Sequence, residues 1–155
     1  MSNNQIQQLD ELDFQILSIL LKDCRTPYLE IARICHVSGG TVHVRMKKME
    51  ELSIIRGTRI ELDLVKLGYD ICCFIEIFMD KSSMIESVYS ELEKIPEIVE
   101  LHITSGNFDM FAKLISPTIA DLHEIVSQKI NTIKGIKRTE TFMSLQKKIE
   151  RNISF

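Results

Sequence analysis

Val37-Ser38-Gly39-Gly40-Thr41-Val42-His43-Val44-Arg45-Met46-Lys47-Lys48-Met49 decides how this chain is read. Ser38 suits a helix N-cap, where its hydroxyl accepts a hydrogen bond from a free amide of the next turn. Apolar residues then fall at Val42, Met46 and Met49, continued by either Leu52 or Ser53, the spacing of one buried helix face. The other face carries Thr41, His43, Lys47 and Lys48, with Arg45 near its edge. Phosphates call for positive charge, and base edges call for side-chain donors and acceptors, so this face fits a DNA groove. Taken alone it fits a solvated surface helix equally well, and its neighbours decide.

Upstream, Leu9, Leu12, Ile16, Leu17 and Leu20 predict a first amphipathic helix ending near Asp23. Thr26 is placed to cap a second, with Pro27 in its first turn, where a missing amide costs nothing. Tyr28, Ile31, Ala32 and Cys35 share a face of that short helix, and His36-Val37 joins it to Ser38. A short helix, a tight turn and a longer basic helix make the helix-turn-helix order, whose second helix enters the major groove. After Leu52, two β-prone runs flank Gly57 in Ile54-Ile55-Arg56-Gly57-Thr58-Arg59-Ile60-Glu61 and predict a small hairpin, or wing. Its arginines, Arg56 and Arg59, would reach phosphate oxygens.

The bulk numbers are compatible with this. At 155 residues the chain holds one large domain or two small ones, and 45% hydrophobic content supplies a core. No apolar run approaches the roughly 20 residues of a membrane helix. The polar start, Met1 to Gln8, lacks a signal-peptide core, so a cytoplasmic location is expected. Cysteines at 24, 35, 72 and 73 form neither a disulfide framework nor a zinc motif, and no metal or cofactor is expected. The formal net charge of −3 is unevenly placed. Residues 36–59 hold five Lys or Arg against two Glu, a local +3, whereas residues 61–155 hold eleven against fifteen, a local −4. A basic patch on an acidic body binds DNA through its local field.

Residues 61–69 read as a linker ending near Gly68. Strands are predicted over Ile71–Met79, Ile98–Thr104, Asp109–Ile115 and Ile136–Leu145, with helices over Met84–Ile95 and from Ile119 to Ile130. Val99, Leu101 and Ile103 should share one face of the second strand. The order βαββαβ predicts a ferredoxin-like layer of two helices on one sheet face. On the first strand Cys73, Ile75, Ile77 and Met79 point one way, and Cys72, Phe74 and Phe78 point the other, with Glu76 among them. The second face is too apolar for solvent, and the same sheet of a second copy is the economical cover. The fold class is therefore α+β: a winged helix-turn-helix domain over 1–60, the linker, and a ferredoxin-like domain over 70–155.

The joined halves resemble the Lrp/AsnC, or feast/famine, transcription regulators. The likeness rests on Leu12-Asp13, Ile16-Leu17, Val37-Ser38, Thr41-Val42, Arg45, Ile54-Ile55, Leu67-Gly68-Tyr69-Asp70 and the turn Gly106-Asn107-Phe108-Asp109. Thr41-Val42-His43-Val44-Arg45, Cys73-Phe74-Ile75 and Thr139-Glu140-Thr141 are most similar to the asparagine-responsive branch. Ser53 departs from the family, many of whose members have Gly there. The resemblance implies double-stranded DNA as partner, a homodimer assembling to an octamer, and an amino-acid effector bound near the turn between the second and third strands.

DNA contacts are expected from Ser38, Thr41, His43, Arg45, Lys47, Lys48, Arg56 and Arg59. Arg45 has a second reading, as an ion-pair partner of Glu30 or Glu50. Effector contacts are expected from Thr104, Ser105, Gly106, Asn107, Asp109 and Gln128. Amides of the Gly-bearing turn suit a carboxylate, and Asp109 suits an α-ammonium group. Asp109 alternatively closes an Asx-type turn. Asparagine is the favoured effector, and leucine or methionine also fit. A ligand-independent architectural DNA-binding protein is the alternative function. His102, Asp109 and His123 come with no nucleophile motif or phosphate loop, which argues against an enzyme.

Overall fold

The computed structural model describes residues 8–81 and 84–155. The chain forms two compact units, one running to Glu61 and taking in Ile149–Phe155, the other spanning Leu62–Lys148. Ile149–Phe155, read from the sequence as the end of the second domain, clusters with the first unit. Phe155 packs on Phe14, their ring centroids 5.3 Å apart, and this draws the last segment into the first unit.

Three helices build the first unit: α1 (Glu11–Leu20), α2 (Tyr28–Ile34) and α3 (Gly39–Glu51). A capping box starts α1, in which Asp10 accepts from the Asp13 amide and Asp13 accepts from the Asp10 amide. Pro27 itself is the N-cap of α2. The expected Thr26 cap is corrected, because its hydroxyl donates to the Asp23 carbonyl at 2.8 Å and closes the preceding turn. Ser38 caps α3 as its sequence requires, its Oγ accepting from the Thr41 amide at 3.0 Å. Ile16, Ile31, Ala32, Val42, Met46 and Met49 form the buried core between the helices.

Both helices of the pair end in the same motif. Val37 donates to the Ala32 carbonyl and His36 to Arg33; Ile54 donates to Met49 and Ser53 to Glu50. These are the two hydrogen bonds of a Schellman turn, which places the residue after the C-cap in left-handed backbone. His36 and Ser53 occupy that conformation, each at φ 56°, although neither is glycine.

The predicted wing is corrected. No strand forms between Ile54 and Glu61. Ile54 and Ile55 both donate to Met49 and pack on the helical core, so the first β-prone run completes α3. Beyond it, to Glu61, the chain takes up no regular secondary structure, as expected where one isolated hairpin would be marginal in water.

The second unit begins with a 3-10 turn, Val65–Leu67, stopped by Gly68 at φ 85°. Then follow β1 (Ile71–Met79), α4 (Ile85–Leu92), β2 (Ile98–Ile103), β3 (Met110–Ser116), α5 (Ile119–Glu124) and β4 (Ile136–Met143). The sheet order is β2-β3-β1-β4, with each neighbouring pair antiparallel. This is the predicted split arrangement. Cys73, Ile75, Ile77 and Met79 of β1 and Met110, Ala112 and Leu114 of β3 are buried with Val88 and Leu92 of α4.

Two local features depart from expectation. Pairing slips between Ile98 and Glu100, so Val99 occupies a bulge and stands half exposed instead of joining the face of Leu101. Helix α5 continues as a π-helical turn, Ile125–Ile130. The wider turn lets Leu122, Ile125 and Ile130 all be buried while Val126 also packs on the core.

The opposite sheet face is aromatic. Phe74 stacks on Phe111 at 5.6 Å, Phe108 lies 5.7 Å from Phe111, and Arg138 sits over the Phe78 ring at 3.4 Å. Phe142, paired across from Phe74, is nearly half exposed.

Candidate DNA-binding face and effector turn

Helix α3 carries most of the expected DNA contacts, and the structure sorts them. The Arg45 guanidinium contacts Asp10 at 2.5 Å and Asp13 at 3.2 Å. Lys48 Nζ lies 2.9 Å from the same Asp13, whose side chain is fully buried. Arg45 is therefore an ion-pair residue, but its partners are Asp10 and Asp13 rather than Glu30 or Glu50. A carboxylate removed from water needs paired cations and hydrogen bonds, and Asp13 has both. The guanidinium holds the Asp10 carboxyl below the usual carboxylate range, helped by its hydrogen bond from the Asp13 amide. Asp10 in turn raises the pKa of Arg45. Leu12-Asp13 stands among the residues of the resemblance, yet only α3's cations reveal what its acid does.

The remaining expected residues stand outward. Thr41 Oγ1 lies 2.8 Å from Ser38 Oγ, so the two hydroxyls share a hydrogen bond at the start of α3. The His43 ring lies 6.2 Å from that of Tyr28. Lys47 pairs with Glu51 at 3.8 Å, but both are well exposed, and such pairs hold weakly. Arg56 and Arg59 are exposed on the irregular segment after α3 and form no ion pair among the described residues. What results is a helix fixed to α1 along one edge, with the His43 imidazole and the weakly paired Lys47 ammonium exposed on the other.

The expected effector residues fall on the connection between β2 and β3. Thr104 donates its amide to the Asp109 carbonyl at 3.0 Å and its hydroxyl to the Phe108 carbonyl at 2.7 Å. Asp109 donates its amide to Ile77 at 3.0 Å, and its Oδ2 accepts from the Met79 amide at 2.8 Å. The carboxylate thus ties the turn to the end of β1, a role neither sequence reading foresaw. An Asx-type turn would have used an amide of its own loop. Gly106 lies at φ 151°, and Ser105, Gly106 and Asn107 are exposed. Their amides donate no backbone hydrogen bond among the described residues. Gln128 is exposed in the π-helical turn and makes no side-chain hydrogen bond to the 104–109 connection.

A feature absent from the sequence reading is a cavity of about 550 Å³ at the other end of the β2–β3 pair, with Tyr69, Glu97, Val99, Ile115, Glu124 and Lys129 on its walls. Burial opposes the charge on Glu97, but Lys129, at 2.7 Å, holds its carboxyl below the usual range. Among the described residues no group of His, Cys, Asp and Glu is arranged to hold a metal ion, and no helix is long and apolar enough to cross a membrane.

This is a helix-turn-helix unit joined to a ferredoxin-like unit with an open amide turn. The family model of the AsnC-type helix-turn-helix domain matches residues 9–50, and that of the Lrp/AsnC ligand binding domain matches residues 72–153. The chain belongs to the Lrp/AsnC family of DNA-binding transcription regulators and is not an enzyme. It is 45% identical over 148 residues to the Regulatory protein AsnC of Haemophilus influenzae, covering 96% of this chain and 99% of that one. To the Regulatory protein AsnC of Escherichia coli K12 it is 39% identical, covering 94% and 95%. The solved structure of E. coli AsnC superposes with a TM-score of 0.90, covering 94% of this chain and 97% of that one. A regulator from Neisseria meningitidis, NMB0573, solved in complex with L-Met, shares the fold at a TM-score of 0.88 and 18% identity, covering 92% and 94%.

Proposed function

We propose that this protein is a sequence-specific transcription regulator whose DNA binding or assembly responds to a free amino acid, with asparagine the favoured effector. The observation that carries the reading is the set of unused amides at Ser105, Gly106 and Asn107, presented on an exposed turn beside the Asp109 carboxylate. An amino acid is a zwitterion, and donors beside a carboxylate complement both its ends. Met79 takes up one lone pair of Asp109, and a carboxylate has about four, so an ammonium can still be accepted. Thr104 and Gln128 are the candidates for an asparagine side chain. Leucine or methionine would need an apolar wall instead.

The regulator is proposed to act in the cytoplasm as a homodimer built on the aromatic sheet face, with dimers assembling further to an octamer. Wrapping several basic patches against one duplex raises avidity at cellular salt, where a single patch with two of its five cations ion-paired is weak.

One observation favours the second reading, an architectural DNA-binding protein without an effector: Asp109 already serves the fold through Met79. Calorimetric titration of the protein with each of the twenty amino acids separates the two. The sensor reading expects one or a few to bind, and Asp109→Asn, which keeps an acceptor for Met79, to weaken binding at least tenfold. If no amino acid binds the wild type, the effector-free reading replaces it.

A further inference from the structure

The fold withdraws several polar side chains of α3 from base reading. Arg45 and Lys48 are bound to Asp10 and Asp13, and Thr41 shares a hydrogen bond with Ser38. Directly opposite the buried Val42, Met46 and Met49, the helix presents Gly40, Val44 and Lys47, spaced four and three residues apart along one outward face. Val44 is 64% exposed and takes no part in the core of the unit. A β-branched residue is a poor helix former, so neither packing nor propensity accounts for valine at this position.

We propose that Val44 is a specificity-determining residue that packs its methyl groups against the C5-methyl of a thymine in the major groove. Thymine is the one base that offers an apolar group there. The surroundings of Val44 suit that approach. One turn towards the N-terminus, Gly40 has no side chain, and a Cβ added there would meet nothing closer than Ser38 Oγ at 3.7 Å. The bare first turn lets the helix descend towards the base edges, which helix-turn-helix proteins contact with the N-terminal part of this helix. One turn the other way, the exposed Lys47 is placed for a phosphate. A valine set between a bare turn and a lysine would lie over the groove floor, where apolar surface gains only against a methyl group. This inference rests on the DNA-binding reading and deepens it to one residue and one base.

The test begins with duplexes selected by the wild-type protein from a random-sequence library. In the tightest duplex, each thymine is replaced singly by deoxyuridine, which removes the methyl and nothing else. At one thymine of each half-site, wild-type binding should weaken about fourfold, the worth of one buried methyl group. Val44→Ala should bind thymine and deoxyuridine equally there, while losing as much as the wild type at every other position. Alanine is the better helix former, so the variant should melt no lower than the wild type. If Val44→Ala discriminates against deoxyuridine as the wild type does at every position, the proposal is overturned. If the wild type enriches no sequence at all, the sequence-specific reading fails, and the assignment of Val44 falls with it.

Discussion

Asp13 and Lys48 meet at 2.9 Å across two helices, the acid fully buried at the start of α1 and the cation two-thirds covered near the end of α3. Arg45 completes the clasp from one turn earlier on α3. The adjacent lysines of this helix should therefore behave differently. Lys48→Ala leaves a buried carboxylate with one cation fewer and should lower unfolding stability by about 2 kcal/mol. Lys47→Ala should leave stability within about 0.5 kcal/mol of wild type and reduce the slope of log affinity against log salt by about 1. Urea titrations and gel shifts over a salt series read the two effects. Equal stabilities of the two variants would remove the clasp from the account.

Acid should weaken the same clasp. The folded-state pKa of Asp10 lies below its unfolded value, chiefly through the Arg45 hydrogen bond. The group thus contributes stability above the unfolded value of about 4, and that contribution is lost as pH falls through the lower folded value. Asp10→Asn keeps an N-cap but removes the charge. Wild type should be the more stable at neutral pH, with the difference shrinking below about pH 4. Thermal melts of both proteins between neutral and acid pH check this, and a pH-independent difference would count against it.

Ser53 and His36 hold left-handed backbone at φ 56° without being glycine. Left-handed conformation costs an ordinary residue about 1–2 kcal/mol, part of which glycine returns as greater freedom in the unfolded chain. Ser53→Gly should stabilise the first unit by about 0.5–1 kcal/mol, because the Ser53 and Ile54 hydrogen bonds are made by the backbone and survive the change. Denaturant midpoints measure it, and a destabilised variant would show that the serine side chain does something the turn needs.

The aromatic face should control association. Phe74 lies in the stack with Phe111 and opposite Phe142, on the sheet face away from α4. Covering such area contributes about 25 cal/mol per Å² before the costs of association. Phe74→Asp should convert a dimer to a monomer in light scattering at micromolar concentration while leaving the sheet's circular dichroism intact. A monomeric wild type under the same conditions would contradict the two-fold arrangement.

Periodicity was enough for the elements whose environment is set by their own unit. Val42, Met46 and Met49 are buried as spaced, and β1 alternates as read from Cys73 to Met79. Ser38 caps its helix because capping is a local interaction. Errors arose where a residue answers to distant sequence. The Arg45 and Lys48 partners are the N-cap of α1 and its Asp13, more than thirty residues away, and two cations on a helix face look alike until an acid claims them. Asp109 binds an amide of β1 that no local pattern marks. The wing failed for a related reason. Ile54 and Ile55 have strong β preference, but the helix end needed their amides first. Val99 slipped out of register because a bulge inserts one residue without any signal in the alternation.

Phe155 on Phe14 makes the helical unit discontinuous in sequence, with the whole second unit inserted before its last piece. During synthesis from the N-terminus, the three helices can collapse as soon as residue 61 is clear, but Phe14 waits for its ring partner until Phe155 emerges. The order of assembly is therefore helices first, sheet second, closure last. A nascent chain that has completed its sheet through Met143 still lacks the contact of Phe155 on Phe14, so the helical unit is finished after the sheet that follows it in sequence.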